Sequence, residues 1–79
     1  MALISKFYEL APLAAGRPHA LTECSWRLAS RDGQTLLQLD TYGSATRKDV
    51  GTISQSIQID EAIAQQLVSV LRATFPSID

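Results

Sequence analysis

The sequence predicts an α+β domain, a four-stranded antiparallel sheet followed by one C-terminal helix. Three observations carry this: apolar residues alternate with polar ones over three segments, an Asp-Gly pair separates two of those segments, and a wide apolar helical face closes the chain. Alternation with period two puts successive side chains on opposite sides of a strand, so each of these strands has one apolar and one polar face. Such a sheet can pack a helix on one side and leave the other open.

The first element is Ala2 to Leu10. Leu3, Phe7 and Leu10 fit a helical face, whereas Ile4, Tyr8 and Leu10 around Lys6 fit a strand. Periodicity leaves both open, and the fold class above takes it as the first strand. Ala11 to Ala20, with Pro12, Gly16 and Pro18, then forms an irregular connection.

In the second strand Cys24, Trp26 and Leu28 alternate with Glu23, Ser25, Arg27 and Ala29, which assigns Trp26 and Cys24 to the core. Asp32-Gly33 ends it with a tight turn, because glycine tolerates the positive φ that hairpin turns require. The third strand, Gln34 to Tyr42, places Leu37 and Leu39 on one face and Gln38, Asp40 and Tyr42 on the other, with Leu36 the one apolar residue on the polar side. A polar loop, Gly43 to Gly51, leads into Thr52 to Ile59. There Ile53, Ile57 and Ile59 oppose Ser54, Ser56 and Gln58, and Gln55 interrupts the apolar face at a bulge or an edge.

Asp60 is placed to cap a helix, Glu61 adds a favourable charge in its first turn, and Pro76 ends it after Phe75. Val70, Ile63, Thr74, Leu67, Leu71, Ala64, Phe75 and Val68 cover an arc of about 160°, wider than a minimal core-facing stripe. One edge of that arc is expected to face a second copy of the chain, with Val68, Leu71 and Phe75 as the interface residues.

Composition bounds the function. The chain has 79 residues, a net charge of -1 and 46% apolar residues, so it is expected to fold as one domain with no linker or low-complexity segment. A domain this short buries only about 60% of its unfolded surface, which makes a homodimer the expected state. One cysteine, Cys24, and one histidine, His19, supply neither an intramolecular disulfide nor the usual ligands of a zinc site. Neither metal nor cofactor is expected. No apolar run approaches the roughly 18 residues of a membrane span, the first residues lack the pattern of a secretory signal, and a cytoplasmic location follows as the expectation.

Catalysis has no marker. His19 sits in the Gly/Pro loop, so its pairing with Cys24 or a strand serine is only a possibility of geometry, and Gly43-Ser44-Ala45-Thr46-Arg47-Lys48 lacks the second glycine and the following helix of a phosphate loop. An enzyme is therefore not expected, and a metal-dependent hydrolase or nuclease ranks third among the readings. The cations give a better lead by their positions: Arg27 and Arg31 belong to the polar side and end of the second strand, and Arg47 and Lys48 to the loop after the third. Single-stranded nucleic acid is held by cations that follow the backbone and by aromatic rings, and Tyr42 falls on the same face. The competing reading pairs these cations with Glu23, Asp32, Asp40 and Asp49 as a solvated surface.

Ser30-Arg31-Asp32-Gly33, the run Leu36 to Tyr42, the polar loop ending at Gly51, and Ser56-Ile57-Gln58-Ile59-Asp60 entering a helix together resemble the transcriptional positive-coactivator family of single-stranded-DNA-binding proteins. The resemblance covers Cys24 to Phe75 and is one of order and spacing. It implies a four-stranded sheet with one helix, a homodimer, and an open sheet face that holds unpaired strands. Carried over by position, it marks Arg27, Arg31, Gln38, Tyr42, Arg47 and Lys48 for nucleic-acid binding. The chain departs from the family in its slightly negative charge, its modest basic loop and its few aromatics on that face. The alternative function is a protein–protein interaction module that docks through its helix or an open sheet edge in a larger complex.

Overall fold

The structure, a computed structural model, describes residues 1–14, 16–44 and 52–79. Its elements are β1 (Ala2–Leu3), β2 (Thr22–Arg31), β3 (Gln34–Ser44), β4 (Gln55–Ile59) and α1 (Glu61–Thr74). The architecture is α+β with one four-stranded sheet in the order β1-β4-β3-β2. The sheet is mixed: β2 with β3 and β3 with β4 are antiparallel, whereas β1 runs parallel to β4. The expectation of a fully antiparallel sheet is corrected by that edge. The first strand is also shorter than Ala2 to Leu10, because pairing with β4 covers only Ala2 and Leu3, extended by a bond from the Ile4 N–H to the Gln58 carbonyl.

The β2–β3 hairpin follows from its turn. Asp32 and Gly33 both have positive φ, 52° and 80°, as a two-residue type I′ turn demands, and Arg31 faces Gln34 across it. Pairing then runs from there to Cys24 opposite Thr41, with one irregularity between Thr22 and Cys24. β3 extends to Ser44, so Gly43 and Ser44 belong to the strand and not to the polar loop. β4 starts at Gln55, which leaves Ile53 outside it.

Register fixes the faces. Trp26, Leu39 and Ile57 lie opposite one another across three strands, as do Arg27, Gln38 and Gln58, and opposed residues share a face. The alternation in the sequence is thus realised in the sheet. The cover is not. Trp26 is 69% exposed and Leu28 68% exposed, Cys24 is exposed, and the helix packs along no strand. The assignment of Trp26 and Cys24 to the core is corrected accordingly. A single residue, Asp60, separates β4 from α1, too short a connection to turn the helix back over the sheet.

The helix itself begins as expected. The Asp60 side chain accepts a hydrogen bond from the Ile63 N–H at 2.9 Å, and such a cap stabilises a helix by about 1 kcal/mol. Among the described residues the buried apolar side chains are Leu36, Ile59 and Ile63. Ile59 and Ile63 flank the β4–α1 junction, whereas Leu36 lies on the polar face of β3. Beside the junction, Leu28, Leu36, Leu37, Ile59, Ala62 and Ala64 line an open cleft of about 630 Å³ between the sheet and the first turns of the helix. Val68, Val70, Leu71 and Phe75 are exposed farther along the helix.

Candidate functional site

The polar face of the sheet is organised around Asp40, which is 0% exposed. Asp40 lies on the central strand β3, between Ser25 of β2 and Ser56 of β4 in register. Gln38 Nε2 donates to both carboxylate oxygens, at 3.0 and 3.2 Å, and Gln58 Nε2 donates to Gln38 Oε1 at 2.8 Å. Arg27 Nη2 lies 3.2 Å from Asp40 Oδ2. The Ser25 and Tyr42 hydroxyls are hydrogen-bonded to each other. Among the described residues no buried side-chain nitrogen or oxygen lacks a partner, so the network is satisfied and rigid.

The electrostatics follow from those contacts. The Ser56 hydroxyl, the Gln38 amide and the Arg27 guanidinium hold the Asp40 carboxyl below its ordinary pKa, against the desolvation that pushes it up. Asp40 is therefore a fixed anion beneath Arg27. A carboxyl with a folded-state pKa below its unfolded value adds stability above the unfolded value and loses it as the pH falls through the folded one. The urea midpoint is expected to fall as the pH is lowered below about 4, with a smaller fall in Asp40→Asn. Equal falls in both proteins would contradict the assignment.

Of the residues marked in the sequence, the structure brings Arg27, Gln38 and Tyr42 onto this face. Arg27 keeps 59% of its side chain exposed although it is anchored to Asp40, so its remaining N–H donors reach solvent. Arg31 ends β2 and lies 3.9 Å from Asp32, both well exposed, which makes a weak pair. Arg47 and Lys48 lie outside the described residues. Val68, Leu71 and Phe75 are exposed along one helix. Alternation had put Ser25, Asp40, Ser56 and Gln58 on the polar face, but nothing in it marked Asp40 as the anchor of the group.

The N-terminal residues build a wall beside this floor. Met1, Ala2 and Leu3 border a recess of about 360 Å³ whose floor is Gln38, Ser56 and Gln58. The opposite face carries Trp26, Leu28, Leu37, Leu39 and Ile57 and, among the described strand residues, no cation. Among the described residues no three His, Cys, Asp or Glu side chains converge as a metal site. Nor is any described helix long and apolar enough to cross a membrane. No protein-family model, no curated protein and no solved structure matches this chain.

Proposed function

We propose that the protein is a homodimeric, non-enzymatic module that binds single-stranded nucleic acid on the polar face of its sheet. The observation that carries the reading is Arg27, held to buried Asp40 at 3.2 Å and still open to solvent. A guanidinium oriented in this way meets a phosphate with little loss of side-chain freedom. Gln58, whose carbonyl oxygen and second N–H are not used by the Asp40 network, offers its amide to base edges in the adjoining recess, and Tyr42 lies on the same face as an aromatic contact. Arg31 would extend the track of positive charge along the strand, and Arg47 and Lys48 are the further cations that the sequence offers. The resemblance to single-stranded-DNA-binding coactivators agrees with this reading.

Two copies are favoured by area. The chain exposes 7066 Å², against about 4,700 Å² expected of a compact monomer of 8.6 kDa. Its radius of gyration is 14.8 Å, against about 12 Å for a compact chain of this length. The excess of about 2,400 Å² exceeds the roughly 800 Å² that each partner contributes to a stable interface. Val68, Leu71 and Phe75 supply apolar side chains, and the cleft beside Leu28 and Ile59 is open to receive such groups.

Fluorescence anisotropy of a labelled oligonucleotide tests the binding. Affinity should fall with salt at a log–log slope on the order of -3 if four cations engage phosphates, and Arg27→Ala should reduce that slope by about 0.7. Arg72→Ala, in the last turn of the helix, should leave it unchanged. Absence of binding at low salt would reject the reading. A second reading, an interaction module within a larger complex, is favoured by the exposure of Trp26 and Leu28. It predicts a monomer in isolation that co-purifies with a different protein.

A further inference from the structure

β2 is an edge strand of ten residues, with no proline and no lysine to block another strand. A two-residue turn is closed by a hydrogen-bonded pair, here Arg31 and Gln34, so alternation directs the backbone groups of Arg31, Ala29, Arg27 and Ser25 toward β3. Those of Ser30, Leu28, Trp26 and Cys24 point outward. The other end of the sheet agrees: the Thr41 carbonyl accepts from the Ser54 N–H at 2.7 Å, so Thr41 faces away from β2 and its opposite residue, Cys24, has its backbone groups at the free edge. Among the described residues no strand pairs with this edge, so a ladder of outward donors and acceptors runs along β2.

We infer that two copies join through this edge, β2 pairing antiparallel with β2 of the second copy about a two-fold axis at Arg27. The sequence of the strand favours that register. It sets Glu23, the strand's only acidic residue, opposite the partner's Arg31, and Trp26 opposite the partner's Leu28. Moving the register by one hydrogen-bonding step brings Glu23 to Ala29 or to Gly33 and removes the charge match. Two-fold symmetry repeats each favourable pair. Opposed residues share a face, so the two polar faces merge into one surface across eight strands.

At the axis the two Arg27 side chains are neighbours. Like charges at opposed positions are unfavourable, but each here carries its own Asp40, 3.2 Å away. A phosphate between the two guanidinium groups would add charge-assisted bonds from both copies. The inference rests on the two-copy part of the function proposed above and is independent of nucleic-acid binding.

Cross-linking tests it. In a Cys24→Ser background, Ser25→Cys and Ala29→Cys become a directly opposed, non-hydrogen-bonded pair between copies, at a Cα separation suited to a disulfide. Within one strand these positions are four residues apart and cannot join. Oxidation with diamide should convert most of the chain to a covalent dimer carrying 25–29 links and no 25–25 or 29–29 links. A dimer by light scattering without 25–29 links would overturn the strand pairing and leave the homodimer reading standing. A monomer at all concentrations would overturn both. Leu28→Pro provides a second check, because it deletes an outward N–H and spares the β2–β3 ladder. The dimer dissociation constant should rise at least tenfold with an unchanged circular dichroism spectrum, and an unaltered constant would contradict the pairing.

Discussion

Ile63→Ala is expected to leave most of the chain unfolded under conditions in which the parent is folded. Among the described residues Ile63 is one of three buried apolar side chains, with Leu36 and Ile59, and it lies in the first turn of the helix that follows β4. Truncating a buried isoleucine costs about 2–5 kcal/mol, from lost transfer energy and from the cavity left behind. A core of this size supplies about 3–5 kcal/mol in total, so one truncation consumes most of it. Ile63→Val should cost about 1 kcal/mol and retain the fold. Leu13→Ala, at a side chain 90% exposed, should stay within about 0.5 kcal/mol. Urea titration followed by far-ultraviolet circular dichroism checks all three, and a folded Ile63→Ala protein of parental stability would show that the core lies elsewhere.

Phe75→Asp is expected to dissociate the dimer. Phe75 caps the C-terminal end of the helix and is 53% exposed in the single chain, beside the exposed Leu71. A carboxylate introduced into an apolar interface without a partner loses its hydration, a penalty of several kcal/mol. The dissociation constant should rise at least a hundredfold. In the single chain the same side chain stays in water, so the helix should persist. Light scattering that falls from twice the chain mass toward 8.6 kDa, with helical content retained, is the expected result. An unchanged dimer would remove this end of the helix from the interface. It would not touch the strand pairing, which has its own cross-link.

The hairpin and the helix start were legible in the sequence because both are set by short-range physics. Asp32-Gly33 supplies two residues that tolerate positive φ, and Asp60 supplies an oxygen for the free Ile63 N–H. Strand alternation likewise gave the correct company for Trp26, Leu39 and Ile57. What alternation does not encode is whether anything lies over a face. The apolar face was expected beneath the helix, yet the one-residue connection at Asp60 leaves Trp26 and Leu28 open.

The polar face shows the same limit in reverse. Leu36, the apolar exception on that side, is 3% exposed, and Asp40 is enclosed by Gln38, Ser56 and Arg27. Residues from three strands make that enclosure, so no local pattern announces it. The pairing of Arg27 with Asp40 had counted as the alternative to a binding role. The geometry makes the two compatible, since the ion pair fixes the guanidinium without hiding it. The parallel edge was illegible for a simpler reason: two residues, Ala2 and Leu3, leave no periodicity to read.

The most direct measurement is a nuclear magnetic resonance titration of the isotopically labelled protein with a short single-stranded oligonucleotide at low salt. The account predicts that the side-chain amides of Gln38 and Gln58 and the guanidinium of Arg27 shift together, while the indole N–H of Trp26, on the other face, stays in place. Movement of Trp26 with the glutamines undisturbed, or no movement at any ratio of oligonucleotide to protein, would contradict it.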